Sequence, residues 1–364
     1  MRFTAPALPD FPWDTIQAED ALARAHPDGI CDLSVGTPVD PVPDIAQRAL
    51  VAAADSPGYP TVWGTPDLRA AIIAYLTSRW GATGLSDRHV ATAVGGKELV
   101  AWLPTLLGLG PGQAIVVPPV AYPTYAVGAA MVGADIVAAA SPGEVGDRRP
   151  GLIWLNSPGN PTGQIDDLDR IRAWVDFARD SGALLAADEC YGEYGWTAEP
   201  VSILDARVNG GTTDGLLAVH SLSKRSNLAG YRAGFMAGDP DIVMGLVGLR
   251  KHLGMMVAAP VQAAMTVLLG DQTHVAQQRQ RYLARRQRLG QALATAGFRI
   301  DGSQGGLYLW ATRGQSGRTT THWLAERGIL VAPGDFYGPT GVDHVRIALT
   351  ATDERITAAA DRLA

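Results

Sequence analysis

Lys224 stands in the stretch H-S-L-S-K-R-S-N-L-A-G-Y-R-A-G, residues 220–234, with serines one and three residues before it and Arg232 eight residues after. The chain has 30 basic residues but only three lysines, Lys97, Lys224 and Lys251. An arginine stays charged at any working pH, whereas a lysine can lose its proton and attack an electrophile. Arginine richness is also what a GC-rich coding sequence gives, so the lysine is a lead that its neighbours must support. Ser221 and Arg232 do so, because a hydroxyl and a guanidinium fork both suit a phosphate.

Three other polar groups fit the same chemistry. Asp188 closes the apolar run A-L-L-A-A-D. A carboxylate there is costly unless a cation faces it. It is either a helix cap or salt-bridge partner, or the counter-ion of a protonated ligand nitrogen. V-G-G-K-E-L, residues 94–99, follows an apolar run and opens a helical pattern, and free N–H groups at a helix start bind phosphate. It is neither G-x-G-x-x-G nor a P-loop, so dinucleotide and nucleoside-triphosphate readings lose support. N-S-P-G-N-P-T-G, residues 156–163, is turn-forming and places the Asn160 amide beyond another apolar run. A phosphate, a ring nitrogen that wants a carboxylate and a carbonyl that a lysine can attack describe pyridoxal 5′-phosphate.

The elements that must position these groups are legible. Short apolar runs bounded by turn residues occur at 89–94, 114–118, 134–139, 151–156, 183–188, 215–220 and 232–238, separated by helical patterns. Such runs predict strands buried on both faces of a mostly parallel sheet, an α/β class with helices on each side. Ligands of such sheets gather beyond the strands' carboxyl ends, where Gly95 to Lys97, Asn156 to Gly163, Asp188 to Tyr191 and Ser221 to Lys224 would stand. A Pro-, Gly- and Asp-rich arm with a short helix near 14–25 precedes helices near 43–54 and 66–80. After about 240 the chain turns helical. It then gives strands near 298–301, 306–312 and 344–349 and helices near 319–327 and 351–363. The expected division is a large domain, 43–270, and a smaller α/β domain made of 271–364 with the arm 1–42.

Composition narrows the classes. The 364 residues suit two domains. With 47% hydrophobic and 18% charged residues, a large core can form. The net charge of −6 argues against non-specific nucleic-acid binding. Cys31 and Cys190 are too few for a disulfide framework. The start M-R-F-T-A-P-A-L-P-D lacks an apolar signal region, and no run is long enough to span a bilayer. A cytoplasmic location is the expectation.

Taken as a set, L-x-x-G-x-P (33–38), Y-x-x-x-x-G (59–64), N-P-T-G (160–163), D-E-x-Y (188–191), S-x-S-K (221–224), G-x-R (230–232) and Arg346 before the last helix resemble the fold-type I pyridoxal-phosphate aminotransferases of the aspartate-aminotransferase class. The resemblance implies that Lys224 carries the cofactor as a Schiff base and shuttles the substrate proton. Asp188 would hold the ring nitrogen protonated, with Asn160 and Tyr191 on the ring oxygen and Tyr122 stacked on the ring. Gly96 and Lys97 through their N–H groups, Ser221 and Arg232 would hold the phosphate. Tyr59 would reach the phosphate of a second subunit in a homodimer. Arg346 would grip the substrate α-carboxylate beside Gly36. Lys97 departs from the small or hydroxyl residue common at that place, and only its N–H is expected in use.

The finer resemblance is to actinobacterial succinyldiaminopimelate transaminases, carried by L-S-V-G-T-P-V-D-P-V-P, A-W-L-P-T-L-L-G-L-G, R-K-H-x-G-M-M-V and I-L-V-A-P-G-D-F-Y-G-P. It implies amino exchange between glutamate and N-succinyl-2-amino-6-oxopimelate. Arg225, Arg250, Lys251 and His252 are the candidates for the substrate's distal anionic end; each is otherwise a solvated helix position. Other aminotransferase substrates and a β-lyase or decarboxylase reaction use the same lysine and aspartate. S-L-S-K also reads as the S-x-x-K of acyl-serine hydrolases, which need S-D-N and K-T-G besides. Only Ser86-Asp87-Arg88 approaches the first, and K-T-G is absent.

Overall fold

The computed structural model describes residues 8–364, so the first part of the N-terminal arm lies outside the described residues. A seven-stranded sheet forms the centre, in the order Val90–Val94, Ala233–Gly238, Leu216–Ser221, Leu184–Asp188, Pro150–Asn156, Ala114–Val117, Asp135–Ala138. Ala233–Gly238 runs antiparallel to both neighbours and every other pairing is parallel. Leu185 and Ala187 face one apolar layer, while Leu184 and Ala186 face the other. The alternation of a strand is therefore hidden inside a continuous apolar run. Burying each leucine contributes about 1.5–3 kcal/mol.

Helices cover both faces. Pro66–Trp80 starts at Thr65, whose side chain accepts the Leu68 N–H, has proline in its first turn, and stops at Gly81 with φ 66°. It sets Leu68, Ile72 and Leu76 on one face of the sheet. Gly96–Leu106 sets Leu99, Val100 and Leu103 on the other.

The topology gathers the polar groups. Parallel strands end at one edge of the sheet, and there Asn156 is level with Asp188 and Asp188 with Val219. Arg232 reaches the same edge because it enters the antiparallel strand, in which Ala233 pairs with Val94 and Gly234 with Ser221.

A second layer is a four-stranded antiparallel sheet, Ala332–Pro333, Val345–Ala348, Tyr308–Thr312, Arg299–Asp301. The helices Thr273–Thr295 and Asp353–Asp361 share its core through Tyr282, Leu289, Ile356 and Ala359. The arm joins this layer. Cys31–Asp32 pairs in parallel with Ile329–Leu330, and the Ala348 N–H donates to the Leu33 carbonyl at 2.9 Å.

Two details differ from the sequence pattern. The helix near 14–25 is a 3-10 turn, Pro12–Ile16, leading into an α-helix, Gln17–Arg24, because Pro12 fixes the entry. Ile329–Leu330 and Ala332–Pro333 are strands too short, and too close to a proline, to read from I-L-V-A-P. Among the described residues no helix is long and apolar enough to cross a membrane.

Candidate active site

Lys224 rides on a single helical turn, Leu222–Arg225, directly after the strand Leu216–Ser221. The turn is locked from several sides. The Ser221 hydroxyl accepts the Ser223 N–H at 3.1 Å, and the Tyr194 hydroxyl donates to the Lys224 carbonyl at 2.8 Å. Arg225 donates to Glu193 at 3.1 Å and to the Leu268 carbonyl at 2.8 Å. The lysine's Nζ donates to the Gly36 carbonyl, which the N-terminal arm delivers. Burial, with Arg346 and Arg232 nearby, brings the Lys224 ammonium down to about 8, although Cys190 opposes the shift. A nucleophilic amine is thus accessible near neutral pH.

Asp188 is 6% exposed and has no basic side chain within ion-pair distance among the described residues. Its carboxylate accepts the Tyr125 hydroxyl at 3.1 Å and the Cys190 N–H at 3.2 Å. Burial raises its proton affinity, against these hydrogen bonds. Arg346 is the complementary case. It is 3% exposed, donates to Asn160 Oδ1 at 3.0 Å and to the Ser34 carbonyl at 2.5 Å, and leaves its buried Nε unpartnered. Its guanidinium lies 4.1 Å from the Tyr308 ring centre and 5.1 Å from that of Tyr337, and among the described residues no carboxylate answers it. A buried anion and a buried cation, each without its opposite among the described residues, therefore belong to the same site as one poised amine.

The phosphate residues also meet. Gly95, at φ 77°, caps the helix Gly96–Leu106, and a side chain on it would collide with the Arg232 guanidinium. Arg232 lies in the left-handed region at φ 56°, donates to the Ala229 carbonyl at 2.8 Å and pairs with no carboxylate. Ser221 is buried beside Gly96. Free N–H groups of a helix start, a hydroxyl and an unpaired arginine form a cradle for a dianionic phosphate. A pyridoxal phosphate fits this set on three separate grounds: the cradle, the uncompensated Asp188 and the depressed lysine.

Asn160, Asp188, Tyr191, Ser221, Lys224, Arg232, Gly36 and Arg346 all belong to this assembly. Tyr122 is half-buried, edge-on to Tyr125 at 5.8 Å, and burial pushes its phenol up to about 12. The Lys97 side chain is exposed, so only its backbone faces the cradle. Tyr59 is 97% exposed, away from this chain's own site. The distal candidates separate. Arg250 is fully buried and held by Glu98 through a fork at 2.9 and 3.0 Å, and Arg225 is held by Glu193, so neither is free for a ligand. Lys251 and His252 are exposed at the end of the helix Pro240–Leu253. The hydrolase reading finds no second motif, because Asp87 is bonded to Arg69 at 2.8 Å.

Tyr125 and Tyr308 belong to the site beyond the residues that the motifs supply, and Ser223, the serine next to Lys224, joins it by accepting from the Ser221 hydroxyl at 2.9 Å. Tyr125 follows Tyr122 by three residues at a helix start, the spacing that would bring both to one side. Tyr308 had no such signal, since one aromatic in G-G-L-Y-L-W reads as core.

The family model of class I and II aminotransferases matches residues 28–363. A probable aminotransferase of Mycobacterium tuberculosis is 57% identical over 357 residues, covering 98% of this chain and 85% of that protein. The 4-dedimethylamino-4-oxo-anhydrotetracycline transaminase of Streptomyces rimosus is 54% identical, covering 98% and 99%. Among solved structures, a probable N-succinyldiaminopimelate aminotransferase of Thermus thermophilus superposes with a TM-score of 0.87 at 26% identity, over 97% of this chain and 99% of that one.

Proposed function

The chain belongs to the class I and II aminotransferases, and from that premise we propose that it moves an amino group between glutamate and N-succinyl-2-amino-6-oxopimelate. The family works with pyridoxal 5′-phosphate on amino acids and 2-oxo acids, and this chain is a transaminase of that kind. The observation that carries the residue assignment is the convergence of Lys224, the unpaired Asp188 and the unpaired Arg346.

The cofactor's phosphate would sit on the Gly96 and Lys97 N–H groups, Ser221 and Arg232, with its ring nitrogen toward Asp188 and its ring oxygen toward Asn160 and Tyr191. Bound there, it supplies an aldehyde carbon and an electron-withdrawing ring. Arg346 binds the substrate α-carboxylate through a charge-assisted fork, and Asn160 holds that fork in plane. Lys224, as a neutral amine, would take the proton from the substrate Cα and hand it on to the carbon on the far side of the substrate nitrogen. Gly36 lets the arm approach closely, since a side chain on it would meet the Tyr308 hydroxyl. The Tyr308 and Tyr337 rings wall the site and keep water away from Arg346.

We further propose that residues 43–270 form one domain and that 271–364 with the arm form a second, which brings Arg346 and Gly36 to the lysine. The active unit is a homodimer in which each Tyr59 serves the other subunit. The 97% exposure of this tyrosine supports that reading, since a phenol left wholly in water stabilises nothing within its own subunit.

The succinylated substrate is supported by the quoted motifs and by the likeness to the Thermus protein. A second reading, a keto substrate with no distal charge, is favoured by one observation: Arg225 and Arg250 are both committed to buried ion pairs. A half-reaction screen tests both. Amino donors are added singly to the yellow enzyme, and glutamate is then paired with each keto acid. Faster amination of the succinylated keto acid than of oxaloacetate and aromatic keto acids supports the first reading. The reverse order removes it and leaves the family intact.

A further inference from the structure

Tyr308 touches three parts of the reacting assembly. Its hydroxyl lies 2.8 Å from that of Tyr191. Its ring lies under Arg346, 4.1 Å from the guanidinium carbon. The same hydroxyl fills the space beside Gly36, whose carbonyl holds Lys224. Tyr308 is 3% exposed and Tyr191 5%, so no bulk water competes for this bond.

The direction of the bond follows from its surroundings. A cation against one ring face draws electron density from that ring and strengthens its O–H as a donor. Arg346 does this to Tyr308 and stands farther from Tyr191. Burial holds both phenols protonated, with Arg346 and Tyr191 moderating the shift at Tyr308, while Tyr308 and Cys190 add to it at Tyr191. The other charged or titratable groups facing the pair are Cys190, Asp188, Tyr122, Tyr282 and Tyr337.

We propose that Tyr308 is a positioning residue for the transamination, whose hydroxyl donates to the Tyr191 oxygen and so leaves the Tyr191 proton pointing at the cofactor's ring oxygen. Two hydrogen bonds in series polarise one another, so Tyr191 donates more strongly than an isolated phenol. The substrate grip and the cofactor contact are thereby joined through one side chain, in the order Arg346, Tyr308, Tyr191. This inference rests on the reading of Tyr191 given under Proposed function.

The test is an absorbance titration of the holoenzyme without substrate, in the wild type, Tyr308→Phe, Tyr191→Phe and the double variant. Phenylalanine keeps the ring beneath Arg346 and removes only the hydroxyl. A weaker Tyr191 donor favours the protonated chromophore, so the colour midpoint of Tyr308→Phe rises by roughly half to one pH unit, the worth of one hydrogen bond. In the Tyr191→Phe background the same substitution moves nothing further. A Tyr308→Phe midpoint equal to the wild type overturns the proposal. So does an equal shift in both backgrounds, because Tyr308 would then act by another route. A protein that binds no chromophore at all sinks the cofactor assignment as well, whereas an unmoved midpoint in a yellow enzyme sinks only the role of Tyr308.

Discussion

Replacing Arg346 with methionine separates a functional buried charge from a structural one. The side chain is 3% exposed, makes two hydrogen bonds to neutral acceptors and faces no carboxylate. Methionine loses those bonds, at about 1.5–3 kcal/mol each for a charged donor, and leaves Asn160 and Ser34 short of a partner. Against this, a buried guanidinium without a counter-charge carries several kcal/mol of desolvation penalty, which the substitution removes. The two sides nearly cancel, and the apoenzyme's urea midpoint should stay close to wild type. Catalysis has no such offset. Removing one partner of a desolvated charge pair costs about 2–5 kcal/mol, so kcat/KM for the amino donor should fall about 30- to 5000-fold. Arg346→Lys keeps the charge but not the fork and should fall between the two. The assay is the single-turnover half-reaction with glutamate, beside urea unfolding of the same preparations. If Arg346→Met unfolds far more easily yet retains kcat/KM within a few-fold, the arginine braces the fold and the carboxylate site lies elsewhere.

Three further outcomes follow from other buried charges. Glu98 holds the fully buried Arg250 by a fork at the start of the phosphate helix, so Glu98→Ala should destabilise the protein by about 3–5 kcal/mol, read by urea unfolding, with Glu98→Ala/Arg250→Met recovering part of it. Lys224 titrates near 8 in the folded apoenzyme. Its condensation with a simple aldehyde should therefore rise through pH 8 and level off, where an exposed lysine would still be climbing. The same shift makes the apoenzyme gain stability relative to Lys224→Met as pH rises from about 8 toward 10.5, because in that window only the unfolded chain keeps the lysine proton.

The sequence carried the sheet and its edge well because both rest on local chemistry. A run such as G-L-I-W-L-N between turn residues has few alternatives to a buried strand, and the residues ending such strands share one edge by topology alone. Lys224, Asp188 and Asn160 were legible for that reason, and Arg232, which enters an antiparallel strand, was legible from its spacing to Lys224. Tyr308 was not, since its significance comes from facing Arg346 across antiparallel strands, Gly36 of the arm, and Tyr191, which lies 117 residues away in the chain. Arg225 and Arg250 were misleading for the converse reason. Each sits beside a chemically suggestive stretch, and the carboxylate that consumes it, Glu193 or Glu98, lies 32 or 152 residues away in the chain.

Charge compensation is therefore the property that distinguishes this site from its surroundings. Arg225, Arg250 and Arg285 are as deeply buried as Arg346, and each meets a carboxylate within 3.1 Å. Among the described residues, Arg346 and Asp188 combine deep burial and opposite sign with no lysine, arginine or carboxylate of the other charge within ion-pair distance, and both belong to the site of Lys224, whose proton affinity burial lowers. Protein side chains could have neutralised both, as they do elsewhere in this molecule. Leaving them open costs stability in the empty enzyme, and that cost is recovered only when a ligand brings a protonated ring nitrogen to one and a carboxylate to the other. Stabilisation by ligand should accordingly come in two separable parts. The cofactor's part should shrink in Asp188→Ala, which keeps the phosphate cradle and Lys224, and the carboxylate's part should vanish in Arg346→Met, each leaving the other part in place, as read from thermal unfolding with cofactor alone and with an unreactive carboxylate added to it. If either variant abolished both parts, the two charges would be a single structural pair, and their separation about the lysine would carry no functional meaning.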